Sequence, residues 1–90
     1  MLSDLFKALS DPIRRKILNL LKEKPLSAGE ISSSFELTDA TISHHLSVLK
    51  SAGLVDSKKK GTFIVYQLET SLFEEAVNWI IGLKSEDFRH

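Results

Sequence analysis

The residues with the most evident binding chemistry in this 90-residue chain are a set of short polar side chains around two histidines. The residues expected to face outward from one helix are Thr38, Asp39, Ala40, Thr41, Ser43, His44 and Ser47. Hydroxyl and imidazole groups can hydrogen-bond to base edges, and short side chains let a helix lie deep in the major groove. Lys and Glu favour helices more than Ser and Thr do, so we interpret this face as a nucleic-acid contact. The alternative, that Ser and Thr merely cap the helix, explains Thr38 alone.

A basic segment follows this helix and forms a second candidate contact. The residues that we expect to contact the DNA backbone there are Lys58, Lys59, Lys60, Gly61 and Thr62. Lysines next to a glycine are typical of a hairpin with a basic tip, and such a tip can neutralise phosphates. Charged hairpin edges also discourage aggregation, which is the simpler interpretation. Three earlier basic residues are equally compatible with phosphate contact and with solvent or ion pairing: Arg14, Arg15 and Lys16.

Metal binding and catalysis find little support in the sequence. His44 and His45 are adjacent, so they lie about 100° apart around a helix and are poorly placed to share one ion. The chain has no Cys, and its third histidine is His90. We therefore predict no metal and no cofactor, and we interpret His45 as a partly buried packing residue. The sequence contains no evident catalytic triad, glycine-rich phosphate loop or paired carboxylates, so we predict that the chain is not an enzyme.

Length and composition restrict the remaining classes. Ninety residues with 42% hydrophobic content are typical of one globular domain, over residues 1–90. The absence of Cys excludes a disulfide-linked scaffold. No apolar run approaches the roughly 20 residues of a membrane helix, and no signal pattern opens the chain. We therefore expect no membrane insertion and a cytoplasmic location. The net charge is zero, but residues 1–67 hold ten basic and seven acidic residues, an excess that suits a polyanion.

The patterns predict four helices, two strands and a last helix. The first helix is short, and the second begins at Asp11-Pro12 and ends before Pro25. A capping-box pattern at residues 27–30 starts a third helix that reaches about residue 35. Thr38 or Asp39 caps the fourth, which buries Ile42, Leu46 and Leu49 and ends at a left-handed Gly53. Strands at 54–57 and 62–68 flank a turn at 58–61, and Thr70 or Ser71 caps a helix to about residue 83.

This order is that of a mainly α winged helix-turn-helix domain with a small β-hairpin. The helix-turn-helix spans about 27–53 and the hairpin, which we call the wing, about 54–68. The last helix is apolar on nearly every side, which predicts a homodimer formed by residues 2–9 and 71–83. The predicted interface residues are Leu2, Leu5, Phe6, Leu9, Leu72, Phe73, Ala76, Val77, Trp79, Ile80 and Leu83. A two-fold dimer would match palindromic double-stranded DNA.

Three segments resemble the ArsR/SmtB family of bacterial winged-helix repressors. They are FKALSDPIRRKIL at residues 6–18, TISHHLSVLKSAGLV at 41–55 and KGTFIVYQL at 60–68. Within the family, the chain is most similar to the small SdpR-type autorepressors. The resemblance implies a dimeric repressor that occupies operator DNA. It also implies metal sites that this chain lacks, because residues 31–37 hold no Cys and the last helix offers Glu74 and Glu75 but no His.

The sequence therefore predicts a sequence-specific transcriptional repressor that acts as a homodimer on palindromic operator DNA without a metal sensor. The alternative is a protein-interaction module that kept the winged-helix fold and lost DNA binding. The signal that would release repression, whether a protein or a small-molecule inducer, stays open.

Overall fold

In the computed structural model, which describes residues 2–84, five helices and three strands follow one another along the chain. They are α1 (Leu2–Leu9), α2 (Pro12–Glu23), β1 (Leu26–Ser27), α3 (Ala28–Ser32), α4 (Asp39–Ser51), β2 (Val55–Lys60), β3 (Phe63–Leu68) and α5 (Ser71–Lys84). Over this range, no helix combines the length and the apolar character that crossing a membrane requires.

The start of α2 follows directly from Asp11-Pro12. The Asp11 carboxylate accepts hydrogen bonds from the backbone N–H groups of Ile13 (2.8 Å) and Arg14 (3.0 Å). Pro12 occupies the first turn, where its missing N–H would have no partner. Two of the donors that a helix N-terminus leaves unpaired are thus satisfied.

The two helices of the helix-turn-helix also begin where their caps predict. Ser27 and Glu30 form the predicted capping box, with the Ser27 N–H donating to Glu30 Oε1 (2.9 Å) and the Glu30 N–H to Ser27 Oγ (3.2 Å). Thr38 rather than Asp39 caps α4, because the Thr41 N–H donates to Thr38 Oγ1 at 3.2 Å. The sequence thus predicted both starts to within one residue.

The end of α3 differs from the prediction, because the helix stops at Ser32 rather than near Phe35. Serine disfavours helix interiors, since its hydroxyl competes for nearby backbone groups. Here the Ser33 hydroxyl donates to the Glu30 carbonyl at 2.8 Å. The serine run therefore ends the helix early.

The hairpin prediction was wrong about the turn and about the number of strands. Lys60 pairs with Phe63, so the turn is the two residues Gly61 and Thr62, and residues 58–60 belong to β2. Gly61 has φ +61° and Thr62 has no positive φ, the pattern of a type II′ turn. The two-residue β1 joins as a third, antiparallel strand in the order β1-β3-β2. It is too short to produce an alternation in the sequence.

The core is built by the first four helices and the base of the sheet. Its largest fully buried side chains are Leu5, Ile17, Ile31, Ile42, Leu46, Leu49 and Leu54. Helix α5 contributes only Ala76 as a buried residue. Its first turn lies against the end of α4, where Gly53 has the predicted left-handed conformation (φ +81°). A Cβ at Gly53 would lie 2.7 Å from Leu72 Cδ1, so this position requires glycine for two reasons.

We predict that the Asp11 cap makes stability depend on pH. Donation from the Arg14 N–H, and then from the Ile13 N–H, holds the pKa of Asp11 below its ordinary value of 3.8. The ionised cap therefore stabilises the fold above the unfolded-state pKa, and that contribution is lost as pH falls through the folded-state pKa. Asp11→Asn keeps an acceptor at the cap but cannot titrate.

Urea denaturation of both proteins between about pH 3 and pH 7 measures the difference. The stability of the wild type relative to Asp11→Asn should fall towards low pH, since the other carboxylates titrate equally in both chains. A difference that stays constant over this range would contradict the prediction.

Candidate nucleic-acid interface

Burial of one stripe of α4 determines which residues the helix exposes. Ile42, Leu46 and Leu49 are each at most 1% exposed. The opposite side carries the predicted contacts, which are exposed at Thr38, Asp39, Ala40, Ser43, His44 and Ser47 and half-buried at Thr41. The predicted residues therefore form one continuous surface.

The side chains on this surface differ in how far the fold already engages them. Thr38 Oγ1 lies 2.9 Å from Thr41 Oγ1, and the Ser32 hydroxyl donates to Asp39 Oδ1 at 2.6 Å. These contacts stiffen the first turn of the helix. A second group has no hydrogen bond within residues 2–84, so its donors and acceptors are free for a ligand: Ser43, His44 and Ser47.

Arg14 supports the interface from behind. Its Nε donates to the Ala8 carbonyl (2.8 Å) and its Nη2 to the Lys7 carbonyl (3.3 Å), while Nη1 lies 3.2 Å from His45 Nδ1. A guanidinium only donates, so His45 Nδ1 is the acceptor. Asp11 Oδ2 is farther from this nitrogen, at 3.9 Å. One side chain thus joins the end of α1 to α4.

These bonds answer the question that the sequence left open for the basic residues of α2. Arg14 is used inside the fold rather than presented to a ligand, and Arg15 donates to the Leu9 carbonyl at 2.7 Å. Both therefore satisfy carbonyls at the C-terminal end of α1, which have no partner within that helix. His45 is the partly buried packing residue that the sequence predicted, with a side chain 12% exposed.

The wing is held beside α4 by a bond that the sequence analysis missed. Lys50 Nζ, in the last turn of α4, donates to Ser57 Oγ of β2 at 2.7 Å. Side chains two residues apart on a strand share a face, so Lys59 lies on the same face of β2 as Ser57. Lys58 and Lys60 lie on the other face, and all three lysines are exposed.

A groove of about 310 Å³ runs between α1 and α4. Lys7 of α1 lines it together with His44, Ser47 and Ser51 of α4. The sequence analysis missed Lys7 and Ser51, because no local pattern shows that α1 lies along the recognition helix. Among residues 2–84, no cluster of three or more His, Asp or Glu side chains is placed to hold a metal ion.

A second surface lies on α5 and the outer side of α1. The large apolar side chains exposed there are Phe6, Val77, Trp79, Ile80, Ile81 and Leu83, with exposed fractions of 39–59%. Phe6 and Trp79 pack together, with ring centroids 6.0 Å apart. Two predicted interface residues need correction: Leu5 and Ala76 are buried in the chain's own core, because they lie on the inner sides of their helices.

Comparison with known proteins identifies this arrangement. The family model described as bacterial regulatory protein, arsR family, matches residues 11–57, from the α2 cap into the wing. The chain belongs to the ArsR family. The resemblance found in the sequence is therefore confirmed, and membership of this family places the chain among regulatory proteins rather than enzymes.

Relatives of ArsR type extend the match over nearly the whole chain. The transcriptional repressor SdpR of Bacillus subtilis is 44% identical over 81 residues, which cover 90% of each protein. A solved ArsR-like transcriptional regulator from Rhodococcus superposes with a TM-score of 0.87 at 30% identity, over 98% of this chain and 83% of that one. The winged helix-turn-helix fold predicted from the sequence is thus confirmed.

One solved relative is described as homodimeric. It is the winged helix-turn-helix DNA-binding domain of a possible ArsR-family regulator from Mycobacterium bovis. Its TM-score is 0.76 at 26% identity, and the match covers 99% of this chain and 82% of that one.

We predict that Arg14 is much more important for stability than Arg15, although the two are adjacent on the same helix. Arg14→Ala removes three contacts, one of them to His45, and leaves carbonyls of α1 unpaired, so we expect a loss of about 2–3 kcal/mol in the free energy of unfolding. Arg15→Ala removes one exposed bond and should cost less than about 1 kcal/mol. Urea denaturation of both variants measures the contrast. Equal losses would show that the link between α1 and α4 is unimportant.

Proposed function

We propose that this ArsR-family chain is a sequence-specific transcriptional repressor that binds palindromic operator DNA as a homodimer. The observation that carries the proposal is the free polar surface of α4, which stands opposite a fully buried stripe. A helix with such a surface fits the major groove, which is wide enough to admit it and displays a distinct pattern for each base pair. A regulator of this kind acts on chromosomal DNA, so we place it in the cytoplasm.

The recognition residues divide into two roles in this proposal. Ser43, His44 and Ser47 read base edges, because their side chains have no partner in the described part of the chain. The residues of the first turn orient the helix and contact the flanking phosphates and bases: Thr38, Asp39, Ala40 and Thr41. The wing binds the backbone through Lys58, Lys59, Lys60, Gly61 and Thr62, because lysine neutralises phosphate but reads sequence poorly.

The homodimer is formed by α5 and the outer side of α1. The exposed apolar residues of α5 extend beyond the part of the helix that the core covers, and a second subunit would bury them. Leu2, Leu9, Leu72 and Phe73 already pack partly against the core and would form the inner rim of the interface. The homodimeric relative supports this assembly. A two-fold axis would present two α4 helices to half-sites about 34–36 Å apart.

Operator binding separates this proposal from the protein-interaction alternative. We expect the wild type to protect a palindromic site in the promoter region of its own gene in a footprinting experiment. A chain that protects no site in genomic fragments, at concentrations where it is folded and dimeric, would favour the interaction module.

We predict that His44→Ala and Lys59→Ala weaken DNA binding in different ways. His44→Ala should cost about 1–3 kcal/mol at the operator and leave non-specific binding unchanged, because a base contact is lost. Lys59→Ala should weaken operator and random DNA alike and reduce the log–log salt slope by about one, because a phosphate contact is lost.

Fluorescence anisotropy on operator and scrambled duplexes over a range of salt concentrations measures both effects. If His44→Ala weakens both duplexes equally, His44 contacts phosphate rather than a base. If neither variant changes operator binding, the proposed docking is wrong.

We predict that Ile80→Glu dissociates the dimer. The substitution buries an unpaired charge in the interface, which costs about 3–5 kcal/mol. Asn78→Glu is the matched control, because it adds the same charge on the polar side of α5, roughly 160° around the helix. Sedimentation velocity should find Ile80→Glu monomeric or unfolded and Asn78→Glu dimeric. A stable Ile80→Glu dimer would remove this face of α5 from the interface.

A further inference from the structure

The tip of the wing exposes two bulky apolar side chains that neither the core nor the proposed dimer interface uses. Phe63 is 66% exposed and Ile64 is 52% exposed. Phe63 is the most exposed of the large apolar residues in the described part of the chain. Both follow directly after the Gly61-Thr62 turn, where a hairpin in water is normally polar. Their exposure points to a contact made by the tip itself.

The strand register distributes these side chains over both faces of the hairpin. Lys60 is paired with Phe63, and Lys59 is paired with Ile64. Directly opposed residues of an antiparallel pair share a face, and neighbouring pairs lie on opposite faces. Each face of the tip therefore carries one apolar side chain and one ammonium group.

The DNA minor groove matches this distribution. Its walls are the deoxyribose rings of the two strands, and phosphates line both rims about 6 Å apart across a narrow groove. A tip that enters it needs apolar surface on both sides for the walls and a cation on each side for the rims. Apolar side chains at such positions act as wedges that partly unstack base steps and bend the duplex.

The position of the wing beside α4 is consistent with a site adjacent to the major groove. The Lys50–Ser57 bond, at 2.7 Å, holds the base of the wing to the last turn of the recognition helix. The tip lies three residues further along β2, beyond the part of the sheet that covers the core. A hairpin fixed at its base and free at its tip can reach past the backbone that borders the major groove.

We propose that the wing tip enters the minor groove beside each half-site, with Phe63 and Ile64 as an apolar wedge against its walls. Lys59 and Lys60 then contact phosphates of opposite strands. This proposal rests on the proposed function, because it requires α4 in the neighbouring major groove. It adds a source of specificity in which flanking pyrimidine–purine steps, which deform easily, are favoured without hydrogen bonds to their bases.

The test compares Phe63→Ser and Ile64→Ser with the wild type on two operator duplexes. The long duplex extends about five base pairs beyond each half-site, and the short duplex ends at the half-sites. Phe63→Leu, which keeps the apolar bulk, is the conservative control. Affinity is measured by anisotropy and bending by energy transfer between dyes at the duplex ends, after thermal melts have established that each variant is folded.

We expect both serine variants to lose about tenfold in affinity for the long duplex and to bend it less. On the short duplex they should match the wild type, and Phe63→Leu should retain most of the affinity and the bend on the long one. Serine variants that bind and bend the long duplex like the wild type would overturn the proposal. So would losses of equal size on both duplexes, which would indicate damage to α4 docking.

Two further outcomes distinguish this proposal from others. Vesicles of phosphatidylglycerol provide an anionic lipid surface, to which a basic apolar tip could also bind. If the serine variants lose vesicle binding while the affinity for the long duplex and its bending are unchanged, the tip is a membrane contact and the proposal is wrong. If the wild type binds neither duplex, the proposed function itself fails, and the wedge fails with it.

Discussion

Burial of one side of α4 is the constraint on which the rest of the structure depends. Ile42, Leu46 and Leu49 are completely enclosed, so α4 cannot rotate about its own axis without exposing the centre of the core. Their burial contributes about 1.5–3 kcal/mol for each side chain. The polar surface of α4 is therefore held in a single direction. Because base readout requires side chains placed to within a hydrogen-bond length, this packing is a precondition for the proposed recognition.

Helix α1 connects this constraint to the proposed dimer. Its inner side supplies Leu5 to the core, and its outer side supplies Phe6, which packs on Trp79 of α5. Its C-terminal carbonyls are bound by Arg14, which also contacts His45 of α4. The dimer surface and the DNA-reading helix thus share one short helix and one guanidinium. Any displacement of α1 would alter both the orientation of α4 and the distance between the two α4 helices of a dimer, which must match the half-site spacing.

The small size of the chain explains where its apolar surface remains exposed. One core has room for a single buried residue of α5, Ala76, and the rest of that helix extends beyond it. The wing likewise covers the core only with its base, so Phe63 and Ile64 at its tip contact no core residue that could bury them. Exposed apolar residues are therefore concentrated in two places, and each suits a different partner: a second subunit at α5 and nucleic acid at the wing.

The sequence by itself determined the features that depend on neighbouring residues. Asp11-Pro12, the Ser27–Glu30 box and Thr38 start their helices through bonds that span two or three residues, and Gly53 ends α4 through its own φ. The apolar spacing of α4 likewise separated its buried stripe from its polar surface. These local rules, together with the family resemblance, were sufficient for the fold and for the predicted recognition surface.

Only the tertiary structure decided the features that depend on residues far apart in the chain. Arg14 turned inward because the ends of α1 and α4 meet beside it, and β1 exists only because β3 returns to pair with it. The lysines of the wing became strand residues once the turn contracted to Gly61-Thr62, and this alone distributed them over two faces. Leu5 and Ala76 were buried because their helices cross the core at those points. A local pattern records the shape of one segment, whereas pairing and packing are determined by which segments the fold brings together.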